Sequence, residues 1–244
     1  MGDEVIIFAA SSLSESFTEL EKSFEFANPG VDVVINFGSS ATLLAQIQDS
    51  RRADVFASAD FQHIQVLMDA SLIGQQDVDV FAENELLVIL PSDNSANITT
   101  IEDLADPGHR IVMALSEVPA GAYARQSIAN LDMSMGPGFE DAVLMNLVSS
   151  EDNVRQVLLK VDLGEADAGF VYRTDALILS NPRVIPIPEE FQPEILYSIG
   201  ILGESSSRER AKAFFDYVLS EQGQAILQSW GFLAVDSQLG IGGE

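Results

Sequence analysis

The sequence predicts an α/β fold of parallel sheets and helices, divided into two lobes. Three observations predict it. Short apolar runs alternate with helix-periodic segments from the first residues onward, the pattern of a parallel sheet covered by helices on both faces. The strand-to-helix turns are made of small and polar residues, with Ser11-Ser12, Ser39-Ser40 and Pro119-Ala120-Gly121 as examples. Two long apolar runs, at 85–90 and 195–202, stand where the chain would cross between lobes. The expected lobes are residues 1–82 with 195–244, and residues 83–194.

Each element follows from local pattern. Residues 5–8 (Val-Ile-Ile-Phe) form an apolar run of the kind buried on both faces of a sheet. Leu13, Phe17, Leu20 and Phe24 then recur on one helical face. Ser12 with Glu15 three residues later predicts a capping box at that helix start. The pattern repeats. A strand over 31–37 leads through Gly38-Ser39-Ser40 into a helix carrying Leu43, Leu44 and Ile47, and a strand over 53–58 leads to a helix over 61–69. In such sheets ligands sit beyond the carboxyl ends of the strands, where both serine pairs fall.

The middle of the chain continues in kind. Strands are expected at 85–90 and 109–115, a short helix from Ile101, and a helix over 118–129 entered through Pro119. Residues 143–147 read as a further strand. Residues 149–153 open a helix bearing Val154, Val157, Leu158 and Val161, with Asp152 or Asn153 as its cap. A strand over 167–172 ends in Tyr172, and four prolines mark 182–193 as looped. A strand over 194–202 and helices over 208–219 and 221–230 close the chain, with a frayed tail at 240–244.

Composition narrows the partners. The chain has 244 residues, 38 acidic against 12 basic side chains, and a net charge of −26. That charge disfavours nucleic acid and anionic membrane as partners. There is no cysteine, so disulfides and thiolate metal sites are excluded. No apolar run approaches a membrane span, and Met1-Gly2-Asp3 leads straight into the first strand.

The serine pairs, Pro119-Ala120-Gly121 and Asp152-Asn153-Val154 share one design: each presents the start of a helix. Helix starts carry unpartnered N–H groups and about half a positive charge, which suits an anion. Small residues at Gly38, Ala41, Ala120 and Gly121 allow close backbone approach, and Tyr172 at a strand end adds a hydroxyl. Such a site is rich in donors and poor in acceptors, so it favours a fully ionised tetrahedral oxyanion. Glu151 and Asp152 are the nearby carboxylates able to act as acceptors. No catalytic role is expected. The two histidines lie in neither a Gly-x-Ser-x-Gly elbow nor a His-Glu-x-x-His zinc spacing, and no nucleotide-binding glycine loop occurs.

Six segments in order, 8–13 (Phe-Ala-Ala-Ser-Ser-Leu), 37–43, 53–60, 118–123, 151–156 and 168–176, resemble the molybdate-binding proteins of ABC importers, the ModA family. The likeness spans nearly the whole chain. It implies a periplasmic-binding-protein fold of type II, two α/β lobes joined by two crossover strands with a ligand cleft between them. It also implies a protein that binds molybdate or tungstate and hands it to an ABC permease. By motif, Ser12 and Ser40 would supply donors from the first lobe, and Ala120, Val154 and Tyr172 from the second, with Ser11 and Ser39 as neighbouring candidates. Ala41 stands where the family often has a third serine. The resemblance further implies a monomer located in the periplasm or at the outer face of the membrane, with no cofactor and no side chain bound to metal. A sulfate-type carrier and an oxyanion-sensing effector module are the alternatives.

Overall fold

The computed structural model describes residues 4–50, 52–205 and 207–235; the tail at 240–244 lies outside them. The chain divides into two compact units. Unit 1 comprises Met1–Asn84 with Ile195–Glu244, and unit 2 comprises Glu85–Glu194.

In chain order, unit 1 begins with β1 (Glu4–Ala10), a 3-10 turn (Ser11–Leu13), α1 (Ser14–Ala27), β2 (Asp32–Gly38), α2 (Ser40–Ser50), β3 (Val55–Ser58), α3 (Gln62–Asp69) and β4 (Ile73–Glu83). Unit 2 contains β5 (Leu86–Leu90), a 3-10 turn (Glu102–Ala105), β6 (Ile111–Ala114), α4 (Pro119–Met135) and α5 (Phe139–Met145). It continues with β7 (Leu147–Glu151), α6 (Val154–Asp162), β8 (Ala168–Tyr172), α7 (Arg173–Ala176) and β9 (Arg183–Pro186). The chain then returns to unit 1 through β10 (Leu196–Leu202), α8 (Arg208–Leu219) and α9 (Glu221–Ser229).

Each unit is built on a five-stranded sheet. The order is β2-β1-β3-β10-β4 in unit 1 and β7-β6-β8-β5-β9 in unit 2. The sheets are mixed rather than purely parallel. β10 runs against β3 and β4, and β5 runs against β8 and β9. Both reversed strands are the first the chain enters after a unit boundary, which is why alternation of strands and helices did not announce them.

Helices cover both faces of the unit 1 sheet. On one side Phe17 and Phe24 of α1 meet Phe214 of α8, with Phe81 and Tyr197 continuing the aromatic layer. On the other, Phe8 and Phe56 pack with Leu43, Ile47, Ile64 and Leu67 from α2 and α3. In unit 2, α6 lies close on β8 because Gly169 has no side chain. A Cβ there would come within 2.8 Å of Val157 and 2.9 Å of Val161.

Three local expectations are corrected. The capping box at Ser12 does not form. α1 begins with Leu13 at its N-cap position and no side-chain cap, because a 3-10 turn inserts Ser11–Leu13 before it. Residues 143–147 are mostly helical, since Phe139 and Val143 bury one face of α5; the strand is β7, starting at Leu147. The looped stretch after Pro182 contains the short edge strand β9, paired with β5. Among the described residues no helix is long and apolar enough to cross a membrane.

Candidate functional site

In unit 1, register brings the serine turns together. Ala10 stands opposite Gly38, and Ala9 opposite both Phe37 and Ala57. The carboxyl ends of β1, β2 and β3 therefore emerge side by side. Ser12 and Ser40 are 3% and 1% exposed, so each buried hydroxyl needs partners.

The Ser12 hydroxyl is hydrogen-bonded to the Tyr197 hydroxyl at 2.8 Å, and the Asn84 side-chain amide donates to Tyr197 at 3.5 Å. The Ser40 hydroxyl accepts the Ala59 N–H at 3.1 Å, which ties α2 to the end of β3. Having accepted, Ser40 keeps its own O–H to donate. Ser39 has a structural role. Its hydroxyl accepts the Thr42 N–H at 3.2 Å and bonds the Thr42 hydroxyl at 2.8 Å, capping α2. Ser11 accepts from Ser14 through its carbonyl at 2.6 Å, which steadies the 3-10 turn. Beyond β3, the Asp60 carboxylate is occupied by the Ser58 hydroxyl at 3.1 Å and by Nδ1 of His63 at 2.8 Å.

In unit 2 the adjacent parallel strands β7, β6 and β8 likewise end together. α4 starts on Pro119, which has no N–H. The Val118 carbonyl takes the N–H groups of Gly121 and Ala122, each at 2.9 Å. Among the described residues no backbone acceptor is paired with the Ala120 N–H. Gly121 allows this close start: a Cβ there would lie 2.0 Å from the Leu115 carbonyl oxygen and 2.3 Å from that of Ala114. The glycine thus serves helix-to-strand approach, a tighter demand than approach to a ligand. The Arg125 guanidinium donates to the Ala114 and Gly121 carbonyls at 3.1 and 2.9 Å, and burial lowers its pKa from the ordinary arginine value.

α6 is capped by Asn153, whose side chain accepts the Gln156 N–H at 3.1 Å. The Gln156 side chain accepts the Asp152 N–H in return at 3.2 Å. This reciprocal cap satisfies its own donors and leaves the first-turn Val154 N–H with no backbone acceptor among the described residues. Of the two nearby carboxylates, one is engaged. Glu151 is held by the Lys160 ammonium at 2.6 Å and by the Ser149 hydroxyl, and Asp152 is exposed. Tyr172, 1% exposed, closes β8, with the Tyr123 ring of α4 edge-on to it at 6.5 Å.

All five sequence-predicted donors thus lie at carboxyl ends of parallel strands, Ser12 and Ser40 in unit 1 and Ala120, Val154 and Tyr172 in unit 2. Sequence reasoning missed the groups behind them: Tyr197, Asn84, Ala59, and the Arg155–Asp175 pair, whose Nε and Oδ1 atoms are 2.9 Å apart. These meet through tertiary contacts that no local pattern encodes. The chemical capacity is that of an anion receptor built from hydroxyls and amides.

The chain is similar to known proteins over nearly its whole length. A family model described as bacterial extracellular solute-binding protein matches residues 5–233. The molybdate-binding protein ModA of Mycobacterium tuberculosis is 33% identical over 231 residues, covering 93% of this chain and 84% of its own. The solved substrate-binding domain of a putative molybdenum ABC transporter from Clostridium difficile is 30% identical, with a TM-score of 0.72, covering 96% of this chain and 99% of that one. The periplasmic molybdate-binding protein of Azotobacter vinelandii superposes with a TM-score of 0.83 at 20% identity, covering 95% of this chain and 100% of that one, a likeness of fold.

Proposed function

We propose, from the premise that this chain belongs to the family of bacterial extracellular solute-binding proteins, that it captures molybdate or tungstate outside the cytoplasmic membrane and delivers it to an ABC permease. One observation carries the choice of ligand class. The candidate donors are uncharged hydroxyls and amides at strand ends and helix starts, while Lys160 and Arg155 beside them in unit 2 are paired with Glu151 and Asp175. The names of the relatives support molybdate within that class.

Ser12 and Ser40 supply donors from unit 1. The Ala120 and Val154 N–H groups and the Tyr172 hydroxyl supply them from unit 2, all to one tetrahedral dianion. Removing that dianion from water costs tens of kcal/mol unless its hydration is replaced. Each hydrogen bond to a charged oxygen returns about 1.5–3 kcal/mol net, so several converging donors suffice without a lysine or arginine. The net charge of −26 opposes the anion at long range, but salt screens that field over about 8 Å, and the helix starts act at contact distance.

Discrimination follows from the same inventory. Hydrogen phosphate brings a proton that needs an acceptor. With Glu151 engaged by Lys160, burying that proton unpaired costs about 1–3 kcal/mol. Sulfate has the charge but a smaller radius, so donors spaced for the larger ion leave some of its oxygens unserved. The protein acts by binding alone, as a monomer, with no cofactor; the oxyanion is its cargo.

Thermal unfolding with molybdate, tungstate, sulfate and phosphate tests the proposal. At a hundred times the dissociation constant the preferred ion stabilises the protein by about 2.7 kcal/mol. No shift with molybdate or tungstate refutes the reading. A larger shift with sulfate reassigns the chain to a sulfate-type carrier.

A further inference from the structure

We infer that the Arg155–Asp175 ion pair is a positioning strut for the unit 2 donors, and that by cancelling the arginine's charge it makes their selectivity one of geometry. The inference rests on the oxyanion reading above. Nε of Arg155 lies 2.9 Å from Oδ1 of Asp175, an ion-pair contact held by charge rather than by hydrogen-bond alignment, and the carboxylate has no solvent exposure. The other oxygen, Oδ2, accepts the Tyr172 N–H at 3.1 Å. Arg155 directly follows Val154 on α6, and Asp175 stands on α7 three residues after Tyr172. One carboxylate therefore ties the first turn of α6 to the carboxyl end of β8. The spacing between the Val154 N–H and the Tyr172 hydroxyl is set by this tie, and the Tyr123 ring braces the same tyrosine from α4.

The charge matters as much as the geometry. An uncompensated guanidinium one residue from an anion-binding amide attracts every anion, whatever its size. Paired with a buried carboxylate it presents no net charge, so the number and spacing of donors decide between ions. A buried ion pair is weak support for stability, because desolvating both charges offsets their attraction. Holding position and neutrality gives this one a reason to exist.

The test is titration calorimetry with molybdate and with sulfate at low and high salt, on the wild type, Asp175→Asn, Arg155→Gln and the double variant. Asp175→Asn exposes the guanidinium's charge and loosens the tie. The molybdate-to-sulfate preference should fall about tenfold or more, the factor that follows when loosened donors lose one charged hydrogen bond to the larger ion, and sulfate binding should become steeply salt-dependent. Arg155→Gln removes the guanidinium from beside the buried Asp175 carboxylate and should weaken both anions. The double variant should recover the wild-type salt dependence while its preference stays reduced. Unchanged preference and salt dependence in folded variants would overturn the inference, because a merely structural pair alters stability alone. If Asp175→Asn fails to fold, the double variant decides: a wild-type preference there overturns the strut. A wild type that binds neither anion overturns the oxyanion reading itself. A wild type that binds molybdate, with variants equally selective, overturns only the strut.

Discussion

Replacing Gly121 by alanine tests whether the start of α4 is a ligand donor. The added Cβ would sit 2.0 Å from the Leu115 carbonyl oxygen and 2.3 Å from that of Ala114. Both obstacles are backbone at the end of β6, so neither can rotate aside. Ordinary contact begins near 3.4 Å, so the helix start must retreat by about 1.4 Å, the difference between 3.4 and 2.0 Å. A hydrogen bond of ordinary length does not survive such a shift. The Ala120 N–H, one residue away, then loses its bond to the anion. One charged hydrogen bond is worth about 1.5–3 kcal/mol, which predicts an affinity for molybdate lowered by a factor of roughly ten to a hundred and fifty. Calorimetric titration measures that loss, and thermal unfolding of the ligand-free variant measures the accompanying strain. Gly203→Ala is the control, since its Cβ would meet only the Leu72 carbonyl oxygen at 3.5 Å, an ordinary contact. A folded Gly121→Ala protein with wild-type affinity would refute the assignment of α4 to the site.

Other substitutions probe the remaining donors. Ser40→Ala should lower affinity and also destabilise the ligand-free protein by about 1–3 kcal/mol, because it leaves the buried Ala59 N–H unpaired; equal melting temperatures would contradict this. Ser14→Ala, which loses only a bond to the Ser11 carbonyl, should leave molybdate affinity within a factor of two or so. Tyr172→Phe should weaken binding less than Ser12→Ala combined with Ser40→Ala, as read by the same titrations. For pH, burial alone would raise the Asp167 carboxyl, but the Arg110 guanidinium and N–H outweigh it and hold the carboxyl below its ordinary value. A depressed carboxylate stabilises fully above its unfolded value near 3.9, and that contribution is lost as the pH falls through the lower folded value. The melting-temperature gap between wild type and Asp167→Asn should therefore be open at pH 7 and close progressively below about pH 4; a gap that widens in acid would contradict the assignment.

The parts of the fold most legible in the sequence are those with strong local signals. β1, β2 and β3 are short apolar runs, and each is followed by a helix with a clear buried face. β4 is hidden because its sequence, Ile-Gly-Gln-Gln-Asp-Val-Asp-Val-Phe-Ala-Glu, interrupts the two-residue alternation, and its pairing with β10 shifts register twice. Its polar Asp77 is buried against Arg208 of α8, which pairs with it at 2.7 Å. β9 is masked by prolines, which an edge strand tolerates. α5 presents an apolar run ending near a strand, and length alone did not separate the two. The candidate site divides the same way. Its proposed donors were readable as candidates, because they stand in short local segments: small and polar residues at strand ends and the motifs that carry the family resemblance. The supports were not: Ser12 meets Tyr197 across 185 positions of sequence, and Ser40 meets Ala59 across 19.

Crystals grown with tungstate, with anomalous scattering used to locate the metal, test the central claim most directly. The account predicts one strong peak within hydrogen-bonding reach, through the ion's oxygens, of the Ser12 and Ser40 hydroxyls, the Ala120 and Val154 N–H groups and the Tyr172 hydroxyl. A peak held instead by arginine or lysine side chains, or one that leaves those five residues untouched, would contradict it.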